Sequence, residues 1–191
     1  MIGGWRTPEP DQSHFYFMPN HIKNVIELKG SIDDIESLIN EFSTNEHFPD
    51  FEKIIPPPDH PAYRDEPTQE KAKESDKWWY HWNIENWGSK WNSYSCKVLS
   101  INKFEFETAW SSVPDIINAM SLKYPLVTID YKYSDEDTGS NCGHFVYCNG
   151  LIIEDIKENQ SKEAYELAFE LRPEHRENYI LTDDGYSYKD E

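Results

Sequence analysis

His81 and Glu85 stand four residues apart, so a helix through them puts an imidazole and a carboxylate on one face. That pairing suits acid–base chemistry or half of a metal site, but two side chains complete neither. His144 stands between Cys142 and Cys148, at positions that share one face of an extended strand. Ligands stepping along a strand span too far for one tetrahedral zinc. The two cysteines would lie about 20 Å apart if extended, beyond disulfide reach. Cys96 brings the cysteines to three, without a CxxC or a Cys/His zinc spacing. Asp135, Glu136 and Asp137 lack the alternate carboxylates and closing Glu of a calcium loop, so they read as a solvated turn. There is no Ser/His/Asp signature, P-loop or GxGxxG. The expectation is therefore no metal, no cofactor and no catalytic residue.

The densest chemistry is aromatic. Residues 78–94, WWYHWNIENWGSKWNSY, hold five of the seven tryptophans. One reading makes them core, with Trp78, Trp82 and Trp91 plugging a sheet face and Gly88 turning between two short helical pieces. The other makes them a binding surface. Its candidate residues are His81, Glu85, Asn86, Trp87, Lys90 and Trp91, with Asn92 beside them. Polar groups fixed among aromatics need partners, from the motif or from a ligand. Lys90 next to Trp87 or Trp91 also suits a cation–π contact.

Charge narrows the partners. The 191 residues carry a formal net charge of −18, which repels nucleic acid and anionic membranes unless a basic patch overrides it. None is visible: Lys71, Lys73 and Lys77 are interleaved with Glu70, Glu74 and Asp76. No direct nucleic acid or membrane partner is expected. The first twenty residues lack an apolar run preceded by positive charge, so no signal peptide is expected. No stretch approaches the ~20 apolar residues of a membrane span. Free thiols fit a reducing cytoplasm. Hydrophobic residues make up 37% and aromatics 15%, so a core must be built from few, large side chains.

The elements that would position these residues follow from periodicity. Residues 1–17 read as a loose arm, residues 18–172 as the folded domain and residues 173–191 as a polar, frayed tail. Ile22, Asn24, Ile26 and Leu28 alternate as a strand within His21 to Lys29. Ser31 caps a helix with Ile35, Leu38, Ile39 and Phe42 on one side. Phe51 to Ile55 reads as a second strand. Residues 56–94 form an insertion: residues 56–77 hold five prolines and ten charges, and the tryptophan segment follows. Lys97 to Ile101 suits a short strand or a helix end. Phe104 to Trp110 is a strand with Phe104, Phe106 and Trp110 on one face. Pro114 opens a helix whose Val113, Ile117, Met120 and Tyr124 share a side. Val127 to Tyr133 alternates as a strand, and Asn149-Gly150 signals a hairpin. Ser161 caps a last helix with Ala164, Leu167, Ala168 and Leu171 on one side. The fold expected is α+β: a ferredoxin-like split βαβ antiparallel sheet with two helices on one face. The other face is left for the tryptophan segment and the last helix.

Four stretches carry a resemblance: MPNHIKNVIELKG at 18–30, WYHWNIENWGSKWNSY at 79–94, FETAWSS at 106–112 and YPLVTIDYKYSDED at 124–137. Together they resemble the YubB-type ferredoxin-like domain family, scattered through phage, plasmid and genomic-island genes. Ser89 stands where that family has threonine, and Ser112 where it has a second proline. The resemblance implies the fold and a mobile-element setting, and no catalytic residues.

The expected function is a non-catalytic acidic interaction module of the bacterial cytoplasm that binds a host protein with a basic surface. Its sharper form is mimicry of nucleic acid. The alternative is an enzyme with a small-molecule or nucleotide pocket at the tryptophan segment. Single-stranded RNA binding on the sheet is a third reading, opposed by the charge.

Overall fold

The computed structural model of the chain describes residues 20–64 and 76–189. The expected arm over residues 1–17 and the middle of the proline-rich stretch, residues 65–75, lie outside the described residues. β1 (His21–Lys29) forms where alternation places it, burying Ile22, Asn24, Ile26 and Leu28 on one side. The Ser31 hydroxyl accepts the Asp34 N–H at 3.2 Å and opens α1 (Ile32–Phe42), satisfying a donor the helix start would otherwise leave bare.

Phe51 to Ile55 is not a strand. It is a helical turn, α2 (Phe51–Ile54), capped by the Asp50 carboxylate on the Glu52 N–H at 3.0 Å. An N-cap aspartate with an acidic first turn outweighs the β-branched isoleucines behind it. A second short turn, α3 (Pro61–Arg64), and then α4 (Trp79–Trp87) follow. The strand that completes the first βαβ half comes only after the tryptophans, as β2 (Tyr94–Ser100).

The rest follows the expected order: β3 (Lys103–Ala109), α5 (Pro114–Lys123), β4 (Thr128–Asp135), β5 (Cys142–Cys148), β6 (Leu151–Ile156) and α6 (Lys162–Leu171). Asn149 and Gly150, at φ 48° and 76°, make the turn between β5 and β6. The strands form one sheet in the order β2–β3–β1–β4–β5–β6, every neighbour antiparallel. Its first four strands, with α1 and α5, are the split βαβ arrangement of a ferredoxin-like domain. The β5–β6 hairpin widens the sheet beyond β4.

The segment from Pro173, expected frayed, forms a 3-10 turn (Pro173–Asn178) and a hairpin, β7 (Tyr179–Thr182) with β8 (Gly185–Tyr188). Tyr179 and Tyr186 lie on Tyr165 and Phe169 of α6, ring centroids 5.1 to 5.6 Å apart. Aromatic packing holds it in place of aliphatic periodicity.

The two sheet faces differ. On one, Ile22, Ile26, Phe104, Phe106, Tyr131 and Tyr147 meet α1 and α5 in the main core. Asn24 is buried among them, donating to Thr108 Oγ1 at 2.9 Å and accepting from the Tyr131 hydroxyl at 2.7 Å. Three strands are thereby locked in register with no polar group left bare. Trp87 belongs to this same core. The tryptophan segment therefore packs on the helix-covered face and not, as expected, on the opposite one. α2 packs against α1 and α5, and α4 against α5, which keeps the insertion on that side. The opposite face carries α6, which packs Ala164 and Leu167 on Cys142.

Candidate functional site

The buried polar side chains of the tryptophan segment are bonded to their surroundings. Asn83 is buried within α4. Its Oδ1 accepts the Tyr63 hydroxyl at 2.9 Å, and its Nδ2 donates to the Lys90 carbonyl at 2.9 Å. Burial, helped by the Glu52 charge, pushes the Tyr63 phenol up to about 12 against the hydrogen bond to Asn83, so Tyr63 remains a donor. Asn86 closes on the Trp82 carbonyl at 2.9 Å. The Trp87 indole is 1% exposed, and its Nε1–H donates to the Ile55 carbonyl at 2.9 Å. Gly88, at φ 75°, caps α4 in the left-handed conformation. The chain that follows is bent and not helical, contrary to the two helical pieces expected.

Beyond Gly88 the segment is sewn to the loop before α2. Asn92 Oδ1 accepts the Phe51 N–H at 2.8 Å, while its Nδ2 donates to Asp50 at 2.9 Å. The Ser93 hydroxyl donates to the Pro49 carbonyl at 2.7 Å. His47 Nδ1–H donates to the Ser93 carbonyl at 2.5 Å. The polar groups that required partners find them inside the protein.

Among the six candidate binding residues, two roles separate. Trp87 and Asn86 are scaffold. His81, Glu85, Lys90 and Trp91 face outward to differing degrees. His81 meets Trp78 edge-on and Tyr80 at a tilt, at centroid distances of 5.2 and 5.6 Å. Glu85 is exposed, and among the described residues it forms no hydrogen bond or ion pair with His81. Sharing a helix face has not made them a dyad. Trp91 is 39% exposed, not the core plug of the first reading. Lys90 Nζ lies 4.5 Å from the centroid of Trp91, 5.2 Å from Trp110 and 5.9 Å from Tyr80. The aromatic faces that could take a cationic ligand already hold the chain's own ammonium. Trp110 reaches them because its φ of 68° breaks the strand alternation, turning it away from the face of Phe104 and Phe106.

Sequence reasoning missed His47. Hollows of about 280 and 370 Å³ flank it, one lined by Trp91, Ser93 and Tyr94, the other by Glu46, Asp50 and Glu52. The Asp50 N-cap signature was the available signal, since it brings the 47–50 loop against Asn92.

The other strand motif also dissolves. Cys142 packs under α6, whereas His144 Nε2 meets Asp130 at 2.8 Å. Burial would raise the Asp130 carboxyl, but Lys29 and His144 hold it below its ordinary value. A cavity of about 230 Å³ opens on this face beside α6, with Glu105, Asp130, Lys132 and Glu170 in its wall. Its charges are paired: Lys132 with Glu170 at 2.6 Å and Lys103 with Glu27 at 3.9 Å within the wall, and Glu105 with Lys97 outside it at 2.8 Å. Among the described residues no group of three or more His, Cys, Asp or Glu is placed to hold a metal ion, and no helix is long and apolar enough to cross a membrane.

Comparison with curated proteins returns no match. Among solved structures, the chain is similar to a protein api92 from Yersinia pseudotuberculosis at 14% identity and a TM-score of 0.36. That match covers 44% of this chain, which spans 31% of the other. A family model described as the ferredoxin-like domain in Api92-like protein matches residues 86–175. That span runs from the end of α4 past α6 and takes in β2, β3, α5 and β4 of the ferredoxin-like sheet but not β1 and α1; over it the chain is similar to the ferredoxin-like domain of Api92-like proteins.

Proposed function

We propose that the protein is a non-catalytic acidic interaction module that binds a basic surface of a bacterial host protein. The observation that carries this reading is how its cations are spent. Eight lysine and arginine side chains among the described residues are ion-paired to carboxylates. Lys90 lies among aromatic rings, and Arg172 is buried with its guanidinium on the His21 carbonyl. The surplus of −18 is left to exposed carboxylates such as Glu46, Glu52, Glu85, Glu136 and Asp137. Such a surface steers cationic partners and lacks the counterion-release drive for nucleic acid. In its sharper form, these carboxylates occupy a groove that the partner uses for phosphates. The resemblance to YubB-type proteins supplies the phage, plasmid or genomic-island setting, and free thiols fit a reducing cytoplasm. Full-length protein used as bait in a bacterial lysate tests this. A basic protein retained at low salt and released as salt rises supports the reading, because screening shortens to about 3 Å at 1 M. Retention insensitive to salt, or recovery of nucleic acid alone, contradicts it.

One observation favours an enzyme with a small-molecule or nucleotide pocket. His47 Nδ1–H is held by the Ser93 carbonyl, and Nε2 lies 3.9 Å from the Glu46 carboxylate beside the two hollows. Quenching of tryptophan fluorescence by a nucleotide, abolished in His47→Ala, would favour that reading over the module.

A further inference from the structure

The sheet ends in two unlike edges. At one, β2 pairs with β3 through two register shifts, irregularities that blunt an edge against further pairing. At the other, β6 follows β5 through six consecutive pairs without a shift. It contains no proline, glycine or lysine, and among the described residues no strand pairs with its outer side. Four of its six side chains are nevertheless apolar and exposed: Leu151 73%, Ile152 42%, Ile153 67% and Ile156 63%. Leu122 at the end of α5, also exposed, extends the patch at the Gly150 turn. A long, regular, apolar edge is the kind that proteins otherwise protect.

The backbone is set for a further strand. Lys157 N–H bonds to the Cys142 carbonyl at 3.0 Å. Antiparallel pairs alternate between bonded and unbonded, so Leu151, Ile153 and Asp155 turn their backbone groups to β5. Those of Ile152, Glu154 and Ile156 point away from the sheet.

We propose that β6 is a docking strand that takes an extended segment of the basic partner as a seventh strand of the sheet. The segment places Lys or Arg opposite Glu154 and Asp155, and apolar side chains opposite Leu151, Ile152, Ile153 and Ile156. The proposal rests on the acidic-module reading for the sign of its partner. Charge complementarity selects the occupant. Glu154 is exposed with no ion pair among the described residues, and Asp155 shares its carboxylate only with Lys157. A second copy would bring another −18 and, in a two-fold register centred on Glu154, set like charges face to face. Main-chain bonds would give affinity, and the alternating side chains specificity.

The test uses the full chain and a fluorescein-labelled peptide, TVKKIVIT, whose order matches β6 in the antiparallel sense. The control TVKKIPIT keeps the charge but puts proline opposite Ile152, removing an N–H that the new ladder needs. Anisotropy should show saturable binding of the first peptide and at least tenfold weaker binding of the control. Glu154→Pro removes an outward N–H without touching the β5 ladder, and Glu154→Lys reverses the charge. Each should weaken the first peptide at least tenfold while the thermal melt stays cooperative. Equal binding of both peptides, or of Glu154→Lys and the unaltered chain, overturns the proposal in favour of general charge adhesion. A concentration-dependent dimer abolished by Glu154→Lys overturns it in favour of a second copy. A salt-sensitive lysate complex that persists undiminished with both variants removes the docking strand and leaves the acidic module standing. Peptide binding localised to β6, with no basic protein retained from lysate, leaves the strand standing and removes the module.

Discussion

Trp87→Ala should separate the structural from the exposed part of the tryptophan segment. The Trp87 ring is buried against Phe51 and Trp82, at centroid distances of 5.8 and 5.5 Å. Truncating a fully buried aromatic to alanine typically costs about 3–5 kcal/mol in lost transfer energy and residual cavity. Here the Ile55 carbonyl also loses its donor, a penalty of about 1–3 kcal/mol if water does not reach it. The two terms overlap, so the variant should fall near the top of the cavity range. Against a typical total of about 5–15 kcal/mol, that is a large fraction of the stability. At about 2–4 °C per kcal/mol for a chain of this size, Tm should drop by roughly 10–20 °C. Trp87→Phe keeps most of the ring and loses the hydrogen bond, so it should fall between Trp87→Ala and the unaltered protein. Trp91→Ala removes a ring that is 39% exposed and should cost about 1 kcal/mol, mainly its contact with Lys90. Urea and thermal melts of the three variants decide the matter. Equal losses for Trp87→Ala and Trp91→Ala would refute the division into scaffold and rim.

Acid stability is a second prediction. Burial would raise the Glu105 carboxyl, but the hydrogen bond to Lys97 and the charge of Lys23 hold it below its ordinary value; Asp130 is held low in the same sense by Lys29 and His144. A lowered folded pKa stabilises above the unfolded value, near 4, and that stability is lost as pH falls through the folded value. Urea midpoints should therefore decline below about pH 4.5, with a shallower decline in Glu105→Gln. Thiol reactivity is a third: burial pushes the Cys142 thiol up to about 11, against the pull of Lys157. At pH 8 a thiol reagent should modify exposed Cys148 in the native protein and reach Cys142 only on unfolding.

Much of the fold was legible because period and punctuation agreed. β1 alternates cleanly, Ser31 and Ser161 cap helices with apolar stripes, and Asn149-Gly150 can form little but a hairpin turn. Phe51 to Ile55 failed because two terminal isoleucines look extended, while the cap that decides the matter is the single residue Asp50. β2 was obscured by its exposure, since Val98 and Leu99 face solvent and its register shifts break the alternation. The β7–β8 hairpin was hidden because its Tyr179 and Tyr186 pack on Tyr165 and Phe169 of α6, a contact between segments with no local period. At the site, the link between Lys90 and Trp91 was among the contacts the motif suggested. Which tryptophan is buried was not legible: Trp87 is selected by its indole reaching Ile55, 32 residues away. His47 was invisible for the same reason, as Ser93 lies 46 residues downstream.

We propose that this surface binds a basic partner and not a phosphate backbone. Titrating labelled single-stranded RNA and duplex DNA with the full chain at low salt tests it most directly, because counterion release is then strongest. No saturable binding of either is expected. Micromolar binding at low salt that disappears in Lys90→Ala or Trp91→Ala, with the melt unchanged, would contradict it and make the aromatic rim a nucleic-acid surface.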